Sequence, residues 1–205
     1  MGEFNIGEII SFGGYNWRIL DIKNNAALII TDKIIEQRSY HNKYVPITWA
    51  DCSLREYLNN EFYDRFSQGD KARIAPVINT NPDNPWFDTI GGPDTEDKIF
   101  ILSLDELACK YFGDSSALLY NPRKNQRYWY ERKDANNSKR IAIDEGKNFW
   151  WYWIRTPGRF SVKAVYVFPD GNIGIHGNNI KIGNVADGFC AGGVRPALWL
   201  KLESH

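Results

Sequence analysis

The sequence predicts an α+β fold of mostly antiparallel strands with two helices and long irregular loops. Three observations carry this. Short β-branched and aromatic runs, divided by turn pairs, fill the first forty residues. Two Ser-x-x-Glu boxes, at Ser53 and Ser103, open the stretches of helical spacing. A stretch from Asn148 to Leu200 begins with three of the eight tryptophans within four residues and ends Gly192-Gly-Val-Arg-Pro-Ala-Leu-Trp-Leu200, enough apolar surface to anchor a core.

The first elements read as an antiparallel meander. Glu8–Phe12, Tyr15–Ile22 and Ala26–Thr31 alternate as strands do, and Gly13-Gly14 and Asn24-Asn25 suit two-residue hairpin turns. Glu36 to Ala50 mixes Arg38, Tyr40, His41, Tyr44 and Trp49 without period, as an irregular loop does. Leu54, Tyr57, Leu58, Phe62 and Phe66 then recur on one face, which predicts a helix over Ser53–Phe66 whose aromatic stripe packs on a core.

Ile74 to Val77 is a short strand, followed by a long loop rich in turn formers from Asn79 to Asp97. Its carboxylates Asp83, Asp88, Asp94 and Asp97, with loop carbonyls, are a weak calcium cage lacking EF-hand spacing; solvated turn acids are the competing reading. No other cofactor is expected. Lys98–Leu102 reads as a buried strand, and the Ser103 box opens a short helix through about Phe112.

From Gly113 to Gly146 the chain is a polar, basic insertion. Arg123, Lys124, Arg127, Arg132, Lys133, Lys139 and Arg140 alternate with Tyr128, Trp129 and Tyr130, a pattern that can grip single strands. Glu131, Asp134, Asp144 and Glu145 dilute it, and a solvated insertion is favoured. Beyond it, Thr156-Pro-Gly158 breaks a strand that Ala164–Phe168 resumes; Pro169–Asn172 is a turn, Ile173–His176 a strand, Gly177-Asn-Asn179 a turn, and Val194–Leu202 a last strand pairing with the amino-terminal meander.

Composition narrows the functions. The chain of 205 residues has room for one large domain, and 25 basic residues balance 25 acidic ones, so no global field draws it to nucleic acid or an anionic membrane. Cys52, Cys109 and Cys190 are widely spaced and odd in number, which argues against a disulfide framework or a cysteine zinc site. Met1-Gly-Glu-Phe-Asn5 lacks the pattern of a signal peptide, and the expected location is cytoplasmic. With only His41, His176 and His205 and no hydrolase, metalloprotease, P-loop or dinucleotide motif, nucleophilic catalysis finds no constellation beyond a Cys190–His176 pair without an orienting third group.

Trp150-Trp-x-Trp-Ile-Arg-Thr-Pro-Gly158, the Asp170-Gly turn and Gly192-Gly-Val-Arg-Pro-Ala-Leu198 resemble the carboxy-terminal signature of an uncharacterised bacterial domain family of C-type-lectin-like architecture. Gly13-Gly-Tyr-x-Trp-Arg-Ile-Leu20, Trp49-x-x-Cys-Ser-Leu-Arg-x-Tyr-Leu58, Asn84-Pro-Trp86 and Asp94-Thr-x-Asp-Lys-Ile-Phe-Ile-Leu-Ser103 resemble it too. The resemblance covers a single domain over residues 1–205 outside the basic insertion, and implies paired terminal strands. It extends to the variable proteins of diversity-generating retroelements, which carry diversified contact residues on such a frame, and more distantly to formylglycine-generating enzymes, which hold copper with paired cysteines.

The resemblance makes a non-enzymatic module for a protein or glycan ligand the leading expectation. A copper- or thiol-dependent enzyme and a structural or assembly domain are the alternatives. The expected contacts lie between the two ends of the signature: Arg159, Phe160, Val162, Lys163, Tyr166, Phe168, His176, Asn178, Asn179 and Lys181. Alternation leaves open whether Tyr166 and Phe168 face a ligand or the core. Trp150, Trp151, Trp153, Arg155 and Arg195 belong to the frame, and each arginine needs a partner if buried.

Overall fold

A computed structural model describes residues 4–121, 133–181 and 191–202. The meander forms as β1 (Ile9–Phe12), β2 (Tyr15–Lys23) and β3 (Ala26–Thr31). Phe12 pairs with Tyr15 and Lys23 with Ala26, so two residues close each hairpin. Both residues of each turn have positive φ, 56° and 83° at Gly13-Gly14 and 50° and 56° at Asn24-Asn25. That geometry follows the twist of the strands, and Gly and Asn adopt it at the lowest steric cost.

The last strand, β12 (Ala197–Lys201), lies antiparallel to β3 with Trp199 opposite Leu28, and carries the two-residue β5 (Ile74–Ala75) on its other side. The first sheet is therefore ordered β1-β2-β3-β12-β5, and the carboxy-terminal stretch is fastened to the meander as the sequence predicts. The second sheet joins β4 (Glu36–Arg38), β8 (Tyr152–Pro157), β9 (Lys163–Val167), β10 (Ile173–Asn179) and β11 (Gly192–Val194) in the order β10-β9-β8-β11-β4. Its β8–β11 pair is parallel and its other pairs antiparallel. A ribbon of β6 (Val77–Asn79) and β7 (Thr95–Asp97) stands apart.

Several expectations shift. The first helix starts at Ser53, yet its cap is Cys52, whose sulfur accepts the Arg55 amide at 3.4 Å. Its regular part, Ser53–Tyr57, widens to π geometry over Leu58–Phe62 and tightens again over Tyr63–Arg65. The predicted aromatic stripe is buried throughout. The second box forms as read: the Ser103 amide donates to Glu106 Oε2 at 2.8 Å, and the Glu106 amide to Ser103 Oγ at 3.2 Å. The turns that follow over Glu106–Tyr111 are again π-like. Further short helices, Gln68–Arg73, Ser116–Leu119 and Asn137–Arg140, exceed the two expected.

Lys98–Leu102 is not a regular strand. Ile99 to Leu102 are buried, but only Phe100 bridges to Ala197, because β12 already pairs with β3 and β5. Gly177-Asn-Asn179 is not a terminal turn either; it continues β10 past a bulge, where Gly177 takes a φ of 76°.

The two frame arginines solve burial differently. Arg155 Nη1 and Nη2 meet both Glu106 oxygens at 2.6 and 3.0 Å, and its other hydrogens go to Asn81 Oδ1 and the carbonyls of Ile101 and Thr80. Arg195 has no carboxylate among the described residues; its Nε donates to the Thr31 carbonyl, and its guanidinium lies between the Phe112 and Tyr152 rings.

Within the insertion, Arg140 is fully buried, against expectation. It pairs with Asp134 at 2.7 Å and donates to Ser115 Oγ, so Arg140 belongs to the core, while Lys133 and Lys139 beside it are exposed as a solvated insertion requires. Arg123, Lys124, Arg127, Tyr128, Trp129, Tyr130, Glu131 and Arg132 lie outside the described residues. No helix among the described residues is long and apolar enough to cross a membrane.

Candidate functional site

Three segments, 39–48, 83–92 and the end of β10 with residues 180–181, meet the turn that joins β8 to β9, and make four with it. The Thr156-Pro-Gly158 motif makes this approach possible. A Cβ on Gly158 would lie 2.5 Å from the His176 carbonyl oxygen and 2.8 Å from Gly177 Cα, so glycine there lets β10 come against the turn. The Arg159 amide then donates to the His176 carbonyl at 2.8 Å.

Asn84 fastens the segment from Asp83 to Gly92. Its wholly buried side chain donates to the carbonyls of Pro157 and Ile175 at 2.8 and 3.2 Å, and Thr89 Oγ1 donates to the Arg159 carbonyl at 2.9 Å. The segment from Ser39 to Thr48 joins through the Ile47 amide, bonded to the Ser161 carbonyl, and the His41 amide, bonded to the Ile180 carbonyl, both at 3.0 Å.

The convergence leaves large apolar side chains in solvent together with Arg159. Phe160 is 53% exposed, Ile90 69%, Tyr44 56% and Val45 42%. Arg159 lies over the Phe87 and Phe160 rings at 5.7 and 5.4 Å, and Phe87 contacts the His176 ring at 4.7 Å. Exposed aromatic and aliphatic groups beside a stacked guanidinium have the composition of a recognition surface.

The structure divides the residues expected from sequence. Arg159, Phe160 and His176 are brought together, with Lys163 at the start of β9 and Lys181 exposed past β10. Val162 is half-buried against the core. Asn178 and Asn179 direct their side-chain oxygens to the amides of Asn179 and Lys181, holding the end of β10 and the turn after it. Tyr166 and Phe168 belong to a separate aromatic row, Phe168–Tyr166–Trp151–Trp153–Tyr40–Trp49, with neighbouring centroids 4.7 to 6.1 Å apart. Gly174 and Gly192 leave room for those rings to lie across the sheet.

Phe87, Ile90, Tyr44 and Val45 are not among the contacts expected from sequence. They lie in aperiodic loops, and only the Asn84-Pro-Trp86 motif marks how one of those loops is anchored.

The four candidate calcium carboxylates do not gather in one place. Asp83, Asp88 and Asp94 are exposed, and among the described residues no group of three metal-binding side chains converges. Asp97 is buried and taken up by protein donors: Arg55 Nε at 2.6 Å, Trp49 Nε1 at 3.1 Å, Asn79 Nδ2 at 2.9 Å and Thr95 Oγ1 at 2.8 Å.

The thiols within the described residues are poor nucleophiles. Burial pushes Cys52 up to about 12. Cys109 is pushed to about 12 by burial and the carboxylates of Asp105 and Asp114. Both are almost wholly protonated near neutrality. Cys190, and with it the Cys190–His176 pair, lies outside the described residues, as does His205.

A Ser–His contact absent from the sequence reading occurs at Ser53, whose Oγ is 3.0 Å from His41 Nδ1. The Ser53 amide also donates to Nδ1, and the Asn42 amide donates to Ser53 Oγ. The imidazole therefore supports the helix start and is not set behind a free hydroxyl. The adjoining open groove, about 360 Å³, is lined by Glu36, Arg38, Ser39 and Asn42 among others. Its charges are internally matched: Arg38 bonds Glu36 at 3.2 Å and stacks on Tyr57, whose hydroxyl bonds Glu36.

Both described histidines titrate below the ordinary imidazole value of 6.5. Burial lowers His41, helped by Lys43; burial lowers His176, helped by Arg159 and Lys163. A proton therefore binds the unfolded chain more readily than the folded one. As the pH falls through about 6.5 the unfolded state gains protons first, so stability declines and levels off below the folded values. Denaturant midpoints at pH 7.5 and 5.5 are expected to differ less in a His41→Gln, His176→Asn variant than in the parent; an equal difference would remove the histidines as its source.

Residues 24–202 match the family described as Domain of unknown function (DUF6273). The chain belongs to that family. The match takes in β3 to β12, and with them all four segments of the candidate site. No curated protein and no solved structure matches the chain. The expectation of an uncharacterised domain family is thus met, with a mixed α+β architecture of mainly antiparallel strands.

Proposed function

We propose that this DUF6273 domain is a non-enzymatic binding module that recognises a protein or glycan partner through the four-segment surface centred on Arg159 and Phe160. The observation that carries the reading is the joint exposure of Phe160, Ile90, Tyr44 and Val45 on segments tied to the frame by buried Asn84 and backbone hydrogen bonds. A surface pre-ordered in this way loses little conformational entropy on binding. The poorly nucleophilic Cys52 and Cys109 thiols weigh against the enzyme alternative without touching Cys190.

The C-type-lectin-like description of the frame belongs to this proposal. It is supported by the fastening of β12 to the meander and by long loops gathered at the second sheet. Membership among diversified proteins is the finer part of it: Arg159, Phe160 and Lys181 are exposed on connections, whereas Trp153 and Arg155 are buried, so the former tolerate change and the latter do not. Adenine-biased differences between genomic copies, confined to the codons of such connections and accompanied by a reverse transcriptase gene, are the expected finding.

The surface is tested by screening the whole chain against displayed random peptides and a glycan array, then measuring the selected binders on a Phe160→Ala, Ile90→Ser variant. Affinity is expected to fall by about 2 kcal/mol or more, as for hot-spot residues. Stability should stay within about 0.5 kcal/mol, as for exposed positions. Undiminished affinity would place recognition elsewhere.

A further inference from the structure

We propose that the partner is a protein presenting an acidic segment with an apolar anchor residue; this rests on the surface assigned above and names what that surface selects. The segments 39–48, 158–163 and 176–181 contain no Asp or Glu, yet carry Lys43, Arg159, Lys163 and Lys181. The fourth segment, 83–92, adds only Asp83 and Asp88, and one Asp83 oxygen is occupied by the Gly91 amide at 2.9 Å. The four segments thus hold four cations and two carboxylates in a chain whose formal net charge is zero. The excess is local.

These cations are also available. None of the four forms an ion pair among the described residues, whereas Arg18, Lys23, Lys33, Arg38, Lys71 and Lys110 elsewhere on the molecule all do. The positive field is felt by the surface itself, where Arg159 and Lys163 help lower His176 and Lys43 helps lower His41. Arg159 lies over the Phe87 and Phe160 rings, an arrangement that holds a guanidinium fork so that its N–H groups can meet a carboxylate.

The apolar half of the surface selects the anchor. Phe160, Ile90, Tyr44 and Val45 are exposed on the same segments as the cations and gain by burying an aromatic or aliphatic side chain, while carboxylates beside it satisfy the lysines and Arg159. A nucleic-acid strand fits less well, because Ile90 and Val45 are aliphatic and offer bases no stacking platform.

The experiment selects random dodecapeptides on phage against the whole chain and measures the enriched peptides as synthetic ligands. The expected consensus pairs Asp or Glu with Phe, Trp or Leu. Binding should weaken at least about tenfold on an Arg159→Glu, Lys163→Glu variant, fall with added salt, and survive Lys147→Glu on the Asp144–Asn148 turn, which is outside the four segments. Enriched peptides that depend on Phe160 and Ile90 but are neutral or basic overturn the acidic assignment alone. Peptides indifferent to every loop variant overturn the surface as well. An oligothymidylate that binds more tightly than any peptide overturns the proposal in favour of a nucleic-acid partner. Circular dichroism of each variant shows that it remains folded.

Discussion

Replacing Arg155 by Met is expected to lower stability by about 3–5 kcal/mol, the usual cost of removing one partner of a buried ion pair. The guanidinium meets both Glu106 oxygens, one Asn81 oxygen and two backbone carbonyls, so its loss leaves the Glu106 carboxylate with only the Ser103 amide and the other acceptors short of a donor. The damage extends beyond the pair. Arg155 reaches the carbonyls of Thr80 and Ile101, on chain segments far from β8 in sequence, and its own carbonyl accepts the Tyr40 hydroxyl at 3.0 Å.

The pH dependence should change with it. Burial raises the Glu106 carboxyl, but the charge and hydrogen bonds of Arg155, with the Ser103 amide, outweigh burial and hold it below the usual carboxylate value. A depressed carboxylate stabilises the fold above its unfolded pKa, and that contribution disappears as the pH falls through the folded value. Urea titrations of the parent should show this acid loss, and the Arg155→Met variant should show less of it. A variant as stable as the parent at neutral pH, with the same acid limb, would contradict the role given to the pair.

Asp97→Ala is expected to cost a comparable 3 kcal/mol or more. The carboxylate receives hydrogen bonds from Arg55, Trp49, Asn79 and Thr95, and so joins the first helix, the β6–β7 ribbon and the buried end of the aromatic row. Asp97→Asn removes the charge but keeps one oxygen, and should cost less. Calcium should stabilise neither the parent nor the variants in thermal melts, since the protein itself occupies this carboxylate; a calcium-dependent rise in the parent that Asp97→Ala abolishes would reverse that account.

What the sequence made legible is what local chemistry determines. Gly13-Gly14 and Asn24-Asn25 specified their turns because few other pairs tolerate two positive φ values, and the Ser103–Glu106 box specified a helix start because both bonds are local. Where a neighbour distant in the chain decides, the reading slipped. Cys52 took the capping role expected of Ser53, whose hydroxyl is drawn to His41 and Asn42 from an adjacent loop. Lys98–Leu102 looked like a strand because it is buried, but β3 and β5 already take the edges of β12. Arg140 looked solvated because Asp134 and Ser115, which neutralise it, are recognisable only once the chain is folded.

The candidate site was half legible for the same reason. Arg159, Phe160 and His176 lie between recognisable ends of one motif, so their neighbourhood could be expected. Phe87 and Ile90 reach them only because Asn84 sends its amide into β8 and β10, more than seventy residues ahead in the chain. Tyr44 and Val45 arrive through the Ile47 backbone bond to Ser161. Neither contact leaves a periodic trace.

Hydrogen exchange of the whole chain, alone and saturated with a selected peptide, tests the central claim most directly. Slowed exchange is expected in residues 39–48, 83–92, 158–163 and 176–181 together, with the β1–β3 meander unchanged. Slowing confined to the meander or to the Glu36–Arg38 groove, with those four segments unaffected, would contradict it.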